Sequence, residues 1–271
     1  MEQTLSYISK MLMQHAVADS GLLYGKMGIA VFFFHYARFT GNQSYRDRAV
    51  ELTNSSIREQ VRQQQMVDYA NGLAGIGVGI EYLSQNDFIK VDTNKILKKF
   101  DRMIFSSIIF GSRTDVSLFT GLSGLGRYLL FRVAGHGAND EHIGTLNNKM
   151  LLIHLTDIFE RMYHVLNDRP ETDVIRFVYA MDQTNIFPSK VKQLLKLFDS
   201  GTSSSGQEDI ILQYQKELEM LYCSKYNQLH TEIQKNTQLN SVPGLYGGLA
   251  GIGLYLLSQL DKQHESWMKL L

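Results

Sequence analysis

Gly72-Leu73-Ala74-Gly75-Ile76-Gly77 returns letter for letter as Gly248-Leu249-Ala250-Gly251-Ile252-Gly253, 176 residues further along the chain. A glycine-rich hexapeptide has two common uses: its backbone amides cradle a phosphate, or its missing side chains let a helix start lie close against a neighbour. Spacing weighs against the first use. A dinucleotide fingerprint needs G-x-G-x-x-G between a strand and a helix, with an acidic residue about 20 positions on. Here Gly75, Gly77 and Gly79 give G-x-G-x-G, and the preceding QQQMVDYAN does not read as a buried strand. The stretch from Gly21 to Met27 misses a P-loop by one residue between its glycines, and Met27 stands where a magnesium-holding hydroxyl is needed.

The second use predicts a repeat, and the repeat is present. Self-similarity at a period of about 20 to 50 residues marks a repeat architecture. Gly25-Lys26-Met27-Gly28-Ile29-Ala30 and Gly121-Leu122-Ser123-Gly124-Leu125-Gly126 align with the two identical hexapeptides, at intervals of 47, 49 and 127 residues. An apolar run follows each motif: VFFFHYARF, VGIEYL, RYLLFRV and LYLLSQL. Such runs, apolar on nearly every face, read as helices buried all round. Between them lie helices with one apolar stripe. Ile96, Phe100, Met103, Ile104 and Ile108 form one, with Lys95, Lys98, Lys99 and Arg102 interleaved and Asp92 or Thr93 as cap; Leu151, Leu155, Ile158, Phe159, Met162 and Leu166 form another. Period-two strand signals are almost absent, and there are only three prolines to interrupt helices.

The long interval fills in the same way. A helix-like stretch from Thr172 to Thr184 begins where the next motif is due but lacks its glycines. Pro188 opens a short amphipathic segment, DSGTSSSGQED reads as loop, and a long helix or broken pair runs from about Gln207 to Lys235. The total is about twelve helices, or about six hairpins. The predicted fold is therefore all-α: one domain over residues 1–271, an α/α toroid with buried helices inside and amphipathic helices outside.

Charge and composition limit the partners. With 27 basic and 27 acidic residues there is no electrostatic pull toward nucleic acid or an anionic membrane. No run reaches the ~18 apolar residues of a membrane span, because Glu81, His35, Arg127 and Gln259 interrupt the best candidates. The start, MEQTLSYISKMLMQH, lacks the basic and apolar regions of a signal peptide, and one cysteine permits no intrachain disulfide, so the default expectation is cytoplasmic.

GLLYGKMGIAVFF, DYANGLAGIGVGIEYL, SLFTGLSGLGRYLL and SVPGLYGGLAGIGLYLL resemble the glycine-motif repeats of the lanthionine synthetase C-like family, in four blocks between Gly21 and Leu257. The resemblance implies an α/α toroid and a role in peptide modification. Catalytic members are zinc enzymes that add a cysteine thiol of a precursor peptide across a dehydrated serine or threonine. Their metal is held by two cysteines and a histidine, one cysteine just before a Tyr-Gly and the other in a Cys-His-Gly. Zinc lowers the thiol pKa so that thiolate attacks at neutral pH. This sequence departs at each ligand: Leu23 and Leu245 precede its two Tyr-Gly pairs, Gly135 precedes its only His-Gly pair at His136-Gly137, and Ser224 follows Cys223. The expectation is a member without zinc or other cofactor, an accessory or peptide-binding protein whose partner is a precursor peptide or a peptide-modifying enzyme.

Two other metal arrangements read better as structure. His136, Asp140, Glu141 and His142 suit a polar interhelical loop, and Cys223 with His230 share a face of a long helix. Another class of function stays open, because helical toroids also carry glycoside hydrolases and terpene cyclases. A glycosidase needs two carboxylates across the opening, for which Asp68, Asp115 and Asp173 are the candidates; an aspartate-rich terpene motif is missing.

If each motif starts an inner helix, the residues just ahead of it line one end of the ring: Tyr24, Asp68, Tyr69, Asn71, Phe119, Thr120 and Tyr246. Four are aromatic, and the helix N-termini would present unpaired N–H groups to an acceptor-rich peptide. The alternative is that these side chains plug a ring too small to stay open. The glycines Gly25, Gly28, Gly72, Gly75, Gly77, Gly121, Gly124, Gly126, Gly248, Gly251 and Gly253 are assigned to packing rather than to a ligand.

Overall fold

The computed structural model describes residues 1–62, 66–136, 142–166, 171–199, 207–235 and 242–271. Among them are twelve α-helices and no strand: α1 (Glu2–Gln14), α2 (Lys26–Thr40), α3 (Gln43–Arg62), α4 (Leu73–Gln85), α5 (Thr93–Ile96), α6 (Lys98–Ile109), α7 (Leu122–His136), α8 (Ile143–Leu166), α9 (Thr172–Asp182), α10 (Pro188–Asp199), α11 (Gln207–Lys235) and α12 (Leu249–Leu260). A 3₁₀ segment, Lys262–Leu270, follows. Most of the expected loop at 199–209 lies outside the described residues.

Hydropathy sorts these helices into two layers. Every residue from Met27 to Ala37 in α2 and from Leu73 to Leu83 in α4 is buried, whereas α6 buries only Phe100, Ile104 and Ile108. A helix apolar all round needs neighbours on all sides, and a striped helix needs one. The wall accordingly runs α12, α2, α4, α7, α9, α11 and back to α12, each packed on the next. Outside it, α1 covers α12, α3 covers α2, α6 covers α4 and α7, α8 covers α7, and α10 covers α9. The result is a closed helical toroid. One long helix, α11, forms the sixth wall element; it offers Leu218, Tyr222 and Leu229 to the interior and water its other face.

The repeated glycines answer to close approach in a regular way. A Cβ on the second glycine of each motif would lie 2.2 Å from Leu22 O at Gly28, 1.9 Å from Tyr69 O at Gly75, 2.2 Å from Leu118 O at Gly124 and 1.9 Å from Leu245 O at Gly251. In each case the obstacle is a backbone carbonyl six residues earlier, which cannot swing aside as a side chain would. The third glycine seats an aromatic ring of the next wall helix: Tyr128 against Gly77, Phe177 against Gly126 and Phe32 against Gly253. The amides at the motif starts are already bonded to their own loops, Lys26 N to Asp19 O, Leu73 N to Met66 O, Leu122 N to Asp115 O and Leu249 N to Val242 O. Little is left there to hold a phosphate.

Candidate functional site at the mouth of the toroid

The loops that lead into the inner helices are tied to one another around one end of the ring. Leu245 N and Tyr246 N both donate to Leu23 O, Leu23 N to Ala70 O, and Tyr69 N and Ala70 N to Phe119 O. At the next position α9 has no glycine loop, and the carboxylate of Asp173 takes the place of the missing carbonyl, accepting from Leu118 N at 2.7 Å. This crown of hydrogen bonds fixes the mouth. It also corrects the expectation of unpaired N–H groups there, because the loops consume them.

The mouth brings three of the seven sequence-derived residues together. Phe119 and Tyr246 meet edge to face at 5.0 Å between centroids, and Tyr24 joins them at 6.5 Å and 6.3 Å. All three are half-buried, an arrangement that leaves apolar ring surface at an opening. Burial raises the phenol pKa values of Tyr24 and Tyr246, so both stay neutral donors. The other four serve the loops or the interior. Asp68 accepts from Asn71 N at 2.8 Å and Gly72 N at 3.1 Å, Asn71 O accepts from Gln60, and Thr120 Oγ1 donates to Asp115. Tyr69 points inward with no exposed surface. The three carboxylates considered for a hydrolase are thus occupied: Asp68 and Asp115 bind their own loops, and Asp173 binds Leu118 N and Arg176.

The central opening is filled by the segment Lys262–Leu270 and Leu271, which sequence reasoning did not single out. It contacts the wall from the far end of the inner helices to their starts. His264 Nδ1 lies 2.8 Å from His35 Nδ1 on α2, Ser266 Oγ lies 2.7 Å from Tyr82 Oη on α4, and Trp267 Nε1 donates to Ser258 Oγ on α12. Nearer the mouth, Arg127 donates to Lys269 O, Tyr69 to Leu270 O at 2.8 Å, and Arg176 and Tyr214 to Leu271 O at 2.8 Å and 3.2 Å. His264, Trp267, Leu270 and Leu271 are all buried. Nine residues is long for a 3₁₀ run, whose hydrogen bonds are poorer than those of an α-helix, so the wall contacts hold much of its shape. A faint signal was available: Arg127 and Arg176 stand in inner helices, and the only tryptophan lies in the final segment.

The His35–His264 pair gives a pH prediction. Burial lowers both pKa values. His35 falls well below its usual value, helped by His264 and Arg38; His264 is lowered further by Arg38, against Asp261. A histidine depressed in the folded state takes up its proton more readily when unfolded, so its stability contribution is complete above about pH 6.5 and is lost as pH falls below that. Urea unfolding is expected to show constant stability from about pH 8 to 7, then a decline of up to about 1.4 kcal/mol per pH unit for each histidine. A flat profile down to about pH 5 would contradict this coupling.

Residues 16–168, more than half of the 271, match the family described as lanthionine synthetase C-like protein. The chain belongs to the lanthionine synthetase C-like family. Among solved structures it is similar to one titled nisin cyclase, with a TM-score of 0.55 and 13% identity over 100% of this chain and 97% of that one, a likeness of fold. No curated protein matches by sequence.

The residues do not fit the zinc of the family's catalytic members. Leu23 and Leu245, where the resemblance places cysteine, have no exposed surface, and the Leu245 Cβ sits 2.8 Å from where a Cβ on Gly28 would be. Cys223 is exposed on α11 with Asn227 beside it, and His230 stacks on Tyr226. His136 closes α7 and lies 3.1 Å from Arg132 Nη1, while Gly137, Asp140 and Glu141 fall outside the described residues. His142 Nδ1 accepts from Gly144 N at the start of α8. Among the described residues no three His, Cys, Asp or Glu side chains gather as a metal site would require.

Proposed function

We propose that this chain binds a peptide at the mouth of the toroid and serves peptide modification as an accessory or recognition component, without closing thioether rings. The observation that carries this reading is the aromatic trio Tyr24, Phe119 and Tyr246, near Arg176 and Tyr214, which both donate to the main-chain oxygen of Leu271. Aromatic surface supplies contact area, and neutral or cationic donors supply directional bonds to a main chain that is rich in acceptors. Family membership supports a peptide as the partner. Leucine ahead of both Tyr-Gly pairs, where one of the family's two thiolates would stand, supports binding rather than the zinc-dependent addition.

The test uses peptides selected against the protein from a display library, titrated calorimetrically into wild type and Tyr246→Ala. Binding should weaken at least about tenfold, or ~1.4 kcal/mol. Stability should drop by no more than about 1 kcal/mol, the worth of the lost ring contacts. Unchanged affinity in a folded variant would remove Tyr246 from the site.

A further inference from the structure

We propose that the mouth half of the central axis is a site that reads peptide main chain, held closed by residues 269–271 of this same chain, and that an incoming peptide enters by displacing them. This rests on the reading of the mouth as a peptide site and adds what part of the peptide is read and what guards it. The two halves of the axial segment are held differently. His264, Ser266 and Trp267 are fixed through their side chains, by His35, Tyr82 and Ser258. The side-chain donors that hold residues 269–271, from Arg127, Tyr69, Arg176 and Tyr214, all end on backbone oxygens.

Donors that grip only main-chain oxygens accept any sequence that presents such oxygens at the same spacing. The burial of Leu270 and Leu271 adds a preference for apolar side chains there. A second observation points to an unfinished site at the same place. Ser123 Oγ and Arg127 Nε are buried without a hydrogen-bond partner, and both line a crevice with Arg176, Asp173 and Phe177 that has room for about one water. A longer peptide chain laid along this wall finds those groups still free. The hinge falls at Met268, between the side-chain anchor of Trp267 and the carbonyl grips that begin at Lys269. The ligand class is thus an extended or 3₁₀ peptide segment with adjacent apolar residues, recognised by its main-chain oxygens.

The probe is a fluorescein-labelled decapeptide of residues 262–271, KQHESWMKLL, followed by anisotropy with the full chain. When a competent state is only partly populated, apparent affinity falls by that fraction. A Leu270→Ala, Leu271→Ala protein, whose own segment docks weakly, should therefore bind the probe at least about tenfold more tightly than wild type. Equal affinity would overturn the displacement proposal and leave the peptide reading standing. Binding to neither protein would overturn the peptide reading, and this proposal with it. Because the double variant loses two buried side chains, a second measurement uses wild type alone. Amide hydrogen exchange should show residues 269–271 opening locally, well ahead of the α4 core. Protection of these amides equal to that of α4 would also overturn the proposal.

Discussion

Replacing Arg132 with alanine is expected to destabilise the protein by about 3–5 kcal/mol, as removal of one partner of a buried ion pair does. Arg132 and Glu81 are each 1% exposed, on neighbouring wall helices α7 and α4. The guanidinium bonds Glu81 through Nη1, Asp101 through Nε at 3.0 Å and Nη2 at 2.9 Å, and Asn94 through Nη2 at 2.9 Å. Tyr128 adds a bond to Asp101 at 2.6 Å. Without the arginine, the Glu81 carboxylate stays in the interior with no cation, and water cannot reach it cheaply. Urea denaturation of Arg132→Ala measures the loss. An Arg132→Met, Glu81→Met pair should recover much of it, since apolar replacement of a buried pair is often neutral or better. A loss below about 1 kcal/mol would show that this network does not hold the wall together.

Tyr69→Ala should cost about the same, ~3–5 kcal/mol, the range of buried aromatic truncation. The ring has no exposed surface, its Cβ approaches to 2.7 Å from where a Cβ on Gly124 would stand, and its hydroxyl holds Leu270 O. Burial pushes its phenol up to about 12. It is a wall and axis residue. Thermal or urea unfolding of Tyr69→Ala beside Tyr246→Ala separates interior from mouth: a large loss at the first and a small one at the second is expected. Equal large losses would make Tyr246 a plug and end the case for a site at the mouth.

The two layers of helix were legible because burial writes itself into periodicity. A helix surrounded on all sides, such as α2 with Phe32, Phe33 and Phe34, must be apolar on every face, and the striped α6 need not be. The glycines were legible because a carbonyl less than 3 Å from a would-be Cβ excludes every other residue, in four places at one spacing. What the mouth does with each side chain was harder to read. Tyr24 and Tyr69 both precede a motif, yet one faces the opening and the other the axis, because they stand one and three residues before their first glycines. The axial segment left only a faint trace, its single tryptophan. Its pattern, KQHESWMKLL, has neither a helical stripe nor a motif, and its place is set by partners scattered from His35 to Ser258. Long-range side-chain contacts of that kind leave no local period.

The most direct test of a peptide site at the mouth is photo-crosslinking with a library-selected peptide that carries a benzophenone, followed by mass spectrometry. Adducts are expected in the crown loops, at residues 20–25, 115–121 and 242–248, competed away by unlabelled peptide. An open cleft elsewhere is lined by His15, Ala16, Val17, Lys26, Arg48 and Ser55. Competable adducts confined to that cleft, with none in the crown, would rule out a peptide site at the mouth.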